Sequence, residues 1–389
     1  MEKPGQDREI SKRPLTRSEF LRLCGRGFCA FSLSCLLGLP GTVHAQPVKK
    51  GLIKTKLSPW YTRLDGSEIR CELCPLRCRV GEGKRGYCRV RENRKGKLYS
   101  LVYGNLCVLD FVPIERIPFF HVLPSTTCFS IATVGCNFNC KCCQAWALSQ
   151  ASPEDVYSYD VPPEAVIAKA GEMGARSVAY SYVEPAVFYE YAMDTSHLVN
   201  KSGLLNLMHS NGFINRLPLE SLGKTLDAAN IDLKGFSDVF YKELSGGYLT
   251  PVLETMKTLK SLGVHLEITN LIIPTKNDDI SVIGEMCRWI KGELGPETPI
   301  HFSRFYPLYK LTGLPPTPIS SLEKARAAAM AEGLEYVYIG NIPGHEGENT
   351  FCPKCGKMII RRAGYMVVEI NMKEGKCKYC GKPIPGIWS

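Results

Sequence analysis

Twelve of the eighteen cysteines in this 389-residue chain fall into three tight clusters, and that clustering constrains the fold more than any other feature. A chain of this length can bury a large core without help from disulfides, and secreted disulfide scaffolds are far smaller. Clustered C-x2-C spacings in an enzyme-sized chain point instead to metal or iron–sulfur sites. The length itself suggests two to three domains. Hydrophobic residues at 44% and charged residues at 22% are ordinary for a globular chain, which excludes wholesale disorder and collagen-like repetition.

The net charge of +10 points toward nucleic acid until its distribution is considered. Residues 1–50 hold nine Lys or Arg and four acids, so half the excess sits in an eighth of the chain. The rest is spread thinly, which describes a solvated basic surface and no nucleic-acid groove. The same segment has a basic stretch, a mostly apolar run from Gly27 to Gly38, and Val43-His44-Ala45 ahead of Gln46. That is the layout of an export signal, and the run is too short to form a stable membrane span. Thr16–Arg22 resembles a twin-arginine signal with serine in place of one arginine. The expectation is export by this degenerate signal. A disordered tail on a cytoplasmic protein is the alternative. Cys24, Cys29 and Cys35 lie here and are set aside.

Each cluster predicts different chemistry. Cys71, Cys74, Cys78 and Cys88 follow C-x2-C-x3-C-x9-C, with glycines that permit tight turns. Four thiolates so arranged can wrap one zinc ion or one iron–sulfur cluster, and the spacing accepts both. Cys352, Cys355, Cys377 and Cys380 form two C-x2-C-G knuckles, CPKCG and CKYCG, 21 residues apart. Paired knuckles predict a structural zinc in a zinc-ribbon-like tail, with a rubredoxin-like iron as the alternative. Cys136, Cys140 and Cys143, in TVGCNFNCKCCQAW, offer only three regularly spaced thiolates, with Cys142 between the last two. On a four-iron cluster three ligands leave one iron open, much as an open position marks a catalytic zinc. Cys107, Cys128 and Cys287 read as buried, inert thiols.

The run Phe129–Val134 predicts a strand, which places the three-cysteine loop at a strand's C-terminal end, where barrel enzymes keep their chemistry. Further β-rich runs occur at Ser177–Tyr182, Leu205–His209, Ala228–Leu233, His265–Ile273, Ile300–Tyr306 and Tyr336–Ile339. Helical patterns intervene, at Pro163–Met173 and Leu253–Leu262 among others. Such alternation predicts an α/β fold with a parallel sheet and helices outside it.

C-x3-C-x2-C after a strand resembles the signature of radical S-adenosylmethionine (SAM) enzymes. The resemblance implies a radical SAM partial (β/α)6, TIM-like barrel at 126–345, preceded by a Cys-rich domain at 51–125 and followed by the ribbon at 346–389. It implies a [4Fe-4S] cluster on Cys136, Cys140 and Cys143. The amino and carboxylate groups of SAM would chelate the open iron, and one electron would release a 5′-deoxyadenosyl radical that abstracts hydrogen from a substrate. The family usually carries an aromatic residue where Cys142 stands.

The resemblance also gives roles to residues that by themselves admit plainer readings. Glu184, in Y-S-Y-V-E-P, sits where the family contacts the methionyl amine, although an acid at a helix start is also favoured by the dipole. Asn211 would bind the cofactor and Gly212 would let backbone approach it, although the dipeptide alone is a turn. Asp232 and Lys234 share one face of a strand and would orient the cofactor's carboxylate or ribose, although a structural ion pair fits as well. Asn270 and His301 would complete the cofactor site. His121 is read either as a functional or as a structural histidine.

D-L-K at 232–234 and H-F-S-R-F at 301–305 resemble the pyruvate formate-lyase-activating enzymes. P-I-E-R-I-P-F-F-H at Pro113–His121, the N-terminal cysteines and the terminal N-T-F-C-P-K-C-G to I-P-G-I-W together look like the AmmeMemoRadiSam group. That resemblance implies an oxidoreductase acting on a protein or small-molecule substrate. It also implies AMMECR1-domain and Memo-like partner proteins and a flavodoxin- or ferredoxin-like electron donor. Modification of another peptide or metabolite, or a degenerate iron–sulfur or zinc scaffold, are the alternatives.

Overall fold

The structure is a computed structural model and describes residues 48–389. The export-signal reading falls on residues outside the described part.

Seven parallel strands and one antiparallel edge strand form the main sheet. In chain order they are β1 (Val108–Pro113), β2 (Thr127–Ala132), β3 (Ser177–Tyr180), β4 (Leu205–Ser210), β5 (Ala228–Asp232), β6 (His265–Ile272), β7 (Ile300–Arg304) and β8 (Val337–Gly340). Each strand pairs with its sequence neighbours, and the two outermost strands do not meet, so the sheet stays open. Six helices make the crossovers from β2 to β8: α1 (Pro163–Glu172), α2 (Tyr189–Ser202), α3 (Arg216–Gly223), α4 (Leu249–Ser261), α5 (Ile280–Leu294) and α6 (Ile319–Ala331). All seven predicted strand runs are strands, and the crossovers alternate as expected. The sheet therefore has one parallel strand more than six βα units supply.

Local sequence explains the elements. Parallel strands covered on both faces need no polar alternation, and β3 is buried along its whole length. Pro163 opens α1, where a missing N–H costs nothing. Helix α4 starts four residues earlier than the pattern Leu253–Leu262, because Pro251 is tolerated within a first turn. Asp279 caps α5 by accepting from the Ser281 and Val282 N–H groups.

The cysteine-rich segment packs into the main sheet. Strand β1 runs antiparallel to β2 along Thr127–Ala132 and joins the main sheet, where it covers an edge that would otherwise be open. Asn105–Leu106 pairs with Tyr157–Asp160, beyond β2. Residues 48–389 accordingly form one compact unit. The N-terminal segment is further anchored by Arg91, which is buried and donates to both carboxylate oxygens of Glu190 on α2 at 2.9 Å.

Pro113–His121 plugs the sheet's N-terminal end. Glu267 on β6 is fully buried and accepts from the Phe120 and His121 N–H groups and from His301 Nε2 at 2.6 Å. Burial opposes its charge, but His265 and His301 hold the carboxyl well below the usual carboxylate range. The Arg362 guanidinium of the tail lies 4.1 Å from the Phe120 ring centroid and donates to the Phe120 carbonyl.

His121 is structural. Its Nδ1 donates to the Pro385 carbonyl at 2.6 Å, which leaves Nε2 to accept from the Tyr338 hydroxyl. Burial pushes the ring down to about 3 from its ordinary 6.5. Between these values the unfolded chain binds a proton that the folded chain does not, so the stability His121 confers rises with pH across that window and is lost on acidification. Urea midpoints should therefore fall between about pH 7.5 and about pH 5. His121→Gln, which cannot titrate, should show a smaller fall. An equal fall in both proteins would refute the assignment.

Candidate active site and metal centres

The C-terminal ends of β2 to β7 surround a cavity of about 470 Å³. That volume suits a small ligand, for which sites run to roughly 300–1,000 Å³. Cys136, Cys140, Cys142 and Cys143 all border it.

The cysteine loop is held in shape by contacts that the cysteine pattern does not show. Gly135, at φ +96, turns the chain out of β2, and a Cβ there would lie 2.7 Å from the Cys88 carbonyl oxygen. The Asn139 and Lys141 N–H groups donate to the Ser245 and Leu244 carbonyls of a π-helical turn, Tyr241–Ser245. Such turns recur at functional sites. The two glycines that follow make room for the loop: a Cβ on Gly246 would overlap the Asn139 side chain, and one on Gly247 the Phe138 ring.

Glu184, Asn211 and Cys136 form one connected group. Glu184 caps the short 3-10 helix Pro185–Phe188, so the plain helix-start reading is correct as far as it goes. Its carboxylate also accepts from Ser210 Oγ and from the Asn211 N–H at 2.8 Å. Three donors leave roughly one of about four acceptor positions for a ligand. Burial raises its pKa, with the Asn211 and Ala186 N–H groups opposing the rise. The Asn211 amide reaches Asn137 Oδ1 at 2.8 Å and Cys136 Sγ at 3.8 Å. Gly212 does not serve ligand approach: it has φ +70 and packs against Ile231 and Val252.

Asp232 lies between two nitrogen groups, with Lys234 Nζ at 2.9 Å and His209 Nε2 at 3.1 Å. Burial opposes the charge on Asp232, but Lys234 and His209 hold it well below the usual carboxylate range. Lys234 stays charged against burial through Asp232 and Cys140. His209 was not singled out in the sequence. Its place at a strand end, two residues before Asn211, was the available signal.

Strand register and parity decide the remaining two residues. Asp232 pairs with Thr269 and Thr269 with His301, and all three border the cavity. His301 therefore lines the site, although its Nε2 is committed to Glu267. Asn270 does not line it. Successive residues of a strand face opposite sides, so Asn270 points away from the cavity that Thr269 and Leu271 border. Its amide donates to the Leu233 carbonyl and lies 3.8 Å from Met286 on α5. The cofactor role expected for Asn270 is corrected to a structural one.

The tail brings Cys352 and Cys380 sulfurs to 3.6 Å and those of Cys355 and Cys377 to 3.8 Å. All four lie within 4.8 Å of one another, the only such group of cysteines, histidines or acids among the described residues. A tetrahedral ion with bonds of about 2.3 Å sets its sulfurs about 3.8 Å apart, so the geometry suits one metal ion. Gly356 and Gly381, at φ +70 and +71, turn both knuckles in the same way. Cys107, Cys128 and Cys287 each have thiols pushed up to about 12 by burial, as inert thiols should.

Comparison with known proteins agrees with this geometry. The radical SAM superfamily pattern matches residues 130–287. An uncharacterized protein of Methanocaldococcus jannaschii is 46% identical over 327 residues, which cover 84% of this chain and 97% of that one. Residues 130–287 of the chain are thus a radical SAM superfamily domain. Among solved structures the chain is similar to a radical SAM methyltransferase from Sphaerobacter thermophilus, with TM-score 0.46 and 14% identity over 86% of this chain and 97% of that one. It is also similar to a domain of a pyruvate-formate lyase-activating enzyme from Bacteroides vulgatus, with TM-score 0.37 and 14% identity over 42% of this chain and 99% of that one.

Radical SAM membership implies a [4Fe-4S] cluster and SAM, which together supply reductive cleavage of the sulfonium. The residues present fit both groups. No three of the loop sulfurs come within 4.8 Å, too wide for a single tetrahedral ion but suited to a larger cluster. A cavity with a free acceptor position and a lysine opens directly over them. No described helix is long and apolar enough to cross a membrane.

Gly247→Ala should force the Phe138 ring to move at a cost of about 1–3 kcal/mol. It should also reduce the iron that the protein retains after reconstitution. A variant with unchanged melting temperature and full iron content would show that the loop does not depend on this contact.

Proposed function

We propose that this protein reductively cleaves SAM and directs the resulting 5′-deoxyadenosyl radical to abstract hydrogen from a protein or small-molecule substrate. Within the superfamily we place it in the AmmeMemoRadiSam group, similar to glycyl-radical-enzyme activating enzymes. AMMECR1-domain and Memo-like proteins are its proposed partners, and a flavodoxin- or ferredoxin-like protein its electron donor. One observation carries the reading: the three-cysteine loop borders the same cavity as Glu184 and the Asp232–Lys234 pair. These are groups of the right charge for the amine, carboxylate and ribose of SAM. A scaffold with a degenerate site would have no need to keep them together.

Each residue has a definite task. Cys136, Cys140 and Cys143 ligate the cluster. Glu184 offers its remaining acceptor position to an ammonium group. Lys234 offers a point charge to a carboxylate. Asp232, held ionised, accepts from ribose hydroxyls, and His209 fixes its orientation. The walls of the cavity keep water from a reactive intermediate. The ribbon cysteines are proposed to hold zinc and to close the sheet's N-terminal end.

Anaerobically reconstituted protein with dithionite and SAM should release 5′-deoxyadenosine, and Cys136→Ala should abolish the release. Lys234→Ala should raise the SAM concentration needed by about 10- to 100-fold, the worth of one charged hydrogen bond, with iron loading unchanged. Iron-loaded protein that neither cleaves nor binds SAM would overturn the proposal. For the ribbon, about one zinc per chain is expected. Cys377→Ala should release it and lower the melting temperature, whereas retention of that zinc would exclude Cys377 as a ligand.

A further inference from the structure

The cysteines at 71, 74, 78 and 88 surround a small cavity of their own. They face one another as the ribbon cysteines do, but at a different distance. No three of their sulfurs lie within 4.8 Å of one another, whereas all four ribbon sulfurs do. A tetrahedral zinc requires sulfurs about 3.8 Å apart. A four-iron cube places iron and sulfide between its thiolates and holds them roughly 6 Å apart. The wide spacing is shared with Cys136, Cys140 and Cys143, where the superfamily places such a cube.

Arg91 supplies a second, independent observation. It borders the cavity and is 2% exposed. Its two terminal nitrogens are bound to Glu190, but its buried Nε has no hydrogen-bond partner. A buried N–H of this kind needs an acceptor. The sulfurs of an anionic cluster are acceptors of the right charge, whereas Leu73, Leu76 and Val187 present apolar side chains and the Ala186 carbonyl accepts from a terminal nitrogen of Arg91 instead.

Placement supplies a third. Cys88 packs its carbonyl onto Gly135, the residue before Cys136. Asn137, the residue after it, borders the quartet's cavity. The two thiolate sites are thus adjacent, separated by little more than one turn of chain.

We propose that Cys71, Cys74, Cys78 and Cys88 hold a second [4Fe-4S] cluster beside the first. Every iron in it has a thiolate ligand, so it has no open position for SAM. Its chemistry is confined to taking up and giving back one electron. Arg91 donates to it through Nε. The proposal concerns a site other than the SAM site and does not depend on the substrate.

The test uses the full chain, purified and reconstituted anaerobically with ferrous iron and sulfide. About eight irons, about eight labile sulfides and about one zinc per chain are expected. The variant with Cys136, Cys140 and Cys143 all changed to Ala should keep about four irons. Reduced with dithionite, it should show a cluster EPR signal that SAM does not alter. Cys74→Ser with Cys78→Ser should also keep about four irons, in a cluster whose signal SAM does alter. One zinc retained in each variant reports that the tail, and the fold it closes, are intact. A correctly folded triple variant with no iron, or wild-type protein with about four irons and about two zincs, would overturn the proposal. If the SAM-dependent change is missing from the double variant while the triple variant keeps its iron, the functional reading above fails and this one stands.

Discussion

The buried carboxylate of Glu267 is the interaction on which the rest of the arrangement depends. A charge with no solvent exposure is tolerated only when its oxygens are fully occupied. Here the partners come from distant parts of the chain: Phe120 and His121 from the plug, and His265 and His301 from β6 and β7. The plug in turn receives Arg362 and Pro385 of the tail. One carboxylate therefore joins the segment before the sheet, the sheet and the ribbon. It also fixes His301, which borders the SAM cavity, from below.

The two ends of the sheet divide the work. At the N-terminal end, buried charge and aromatic contacts make a closed floor. At the C-terminal end, loops carry groups that are only partly satisfied. Glu184 has an acceptor position to spare, and Asp232 and Lys234 face a cavity. The loops are positioned by constraints of packing more than by bonds. Glycines at 135, 246 and 247 stand where any side chain would meet Cys88, Asn139 or Phe138. A three-thiolate site needs its sulfurs held apart, and the π-helical turn at Tyr241–Ser245 supplies the carbonyls that hold the loop open.

Three cysteine clusters of similar composition differ in sulfur spacing because the backbone folds differently around each. The ribbon knuckles fold back through paired glycines and bring four sulfurs to the distance of a single ion. In the quartet at 71–88 only Cys71 lies on a strand, the other three lie in loops, and Arg91 stands beside the cavity. Both begin with C-x2-C along the chain, but the remaining cysteines follow after 3 and 9 residues in one and after 21 and 2 in the other.

Much of this was legible beforehand. The seven parallel strands could be read because strands buried on both faces are continuous apolar runs. That Cys136, Cys140, Cys143, Glu184, Asp232 and Lys234 border one cavity could be read, because they end those strands or leave them. What could not be read depended on which neighbour lies opposite. Asn270 was assigned to the cavity, but parity turned it toward α5. His209 gained its role only when β4 lay beside β5 and brought it to Asp232. Gly246 and Gly247 carry no signal in the sequence, and their need for small size comes from the cysteine loop packed against them. The sequence by itself determined the α/β class, the three-cysteine loop at a strand end and the presence of three cysteine clusters, because these follow from local periodicity and residue spacing. Only the tertiary structure decided that the N-terminal segment joins the main sheet, that His121 holds the tail and how far apart each set of sulfurs stands. Those are distances between residues remote in the chain, set by the packing of the whole.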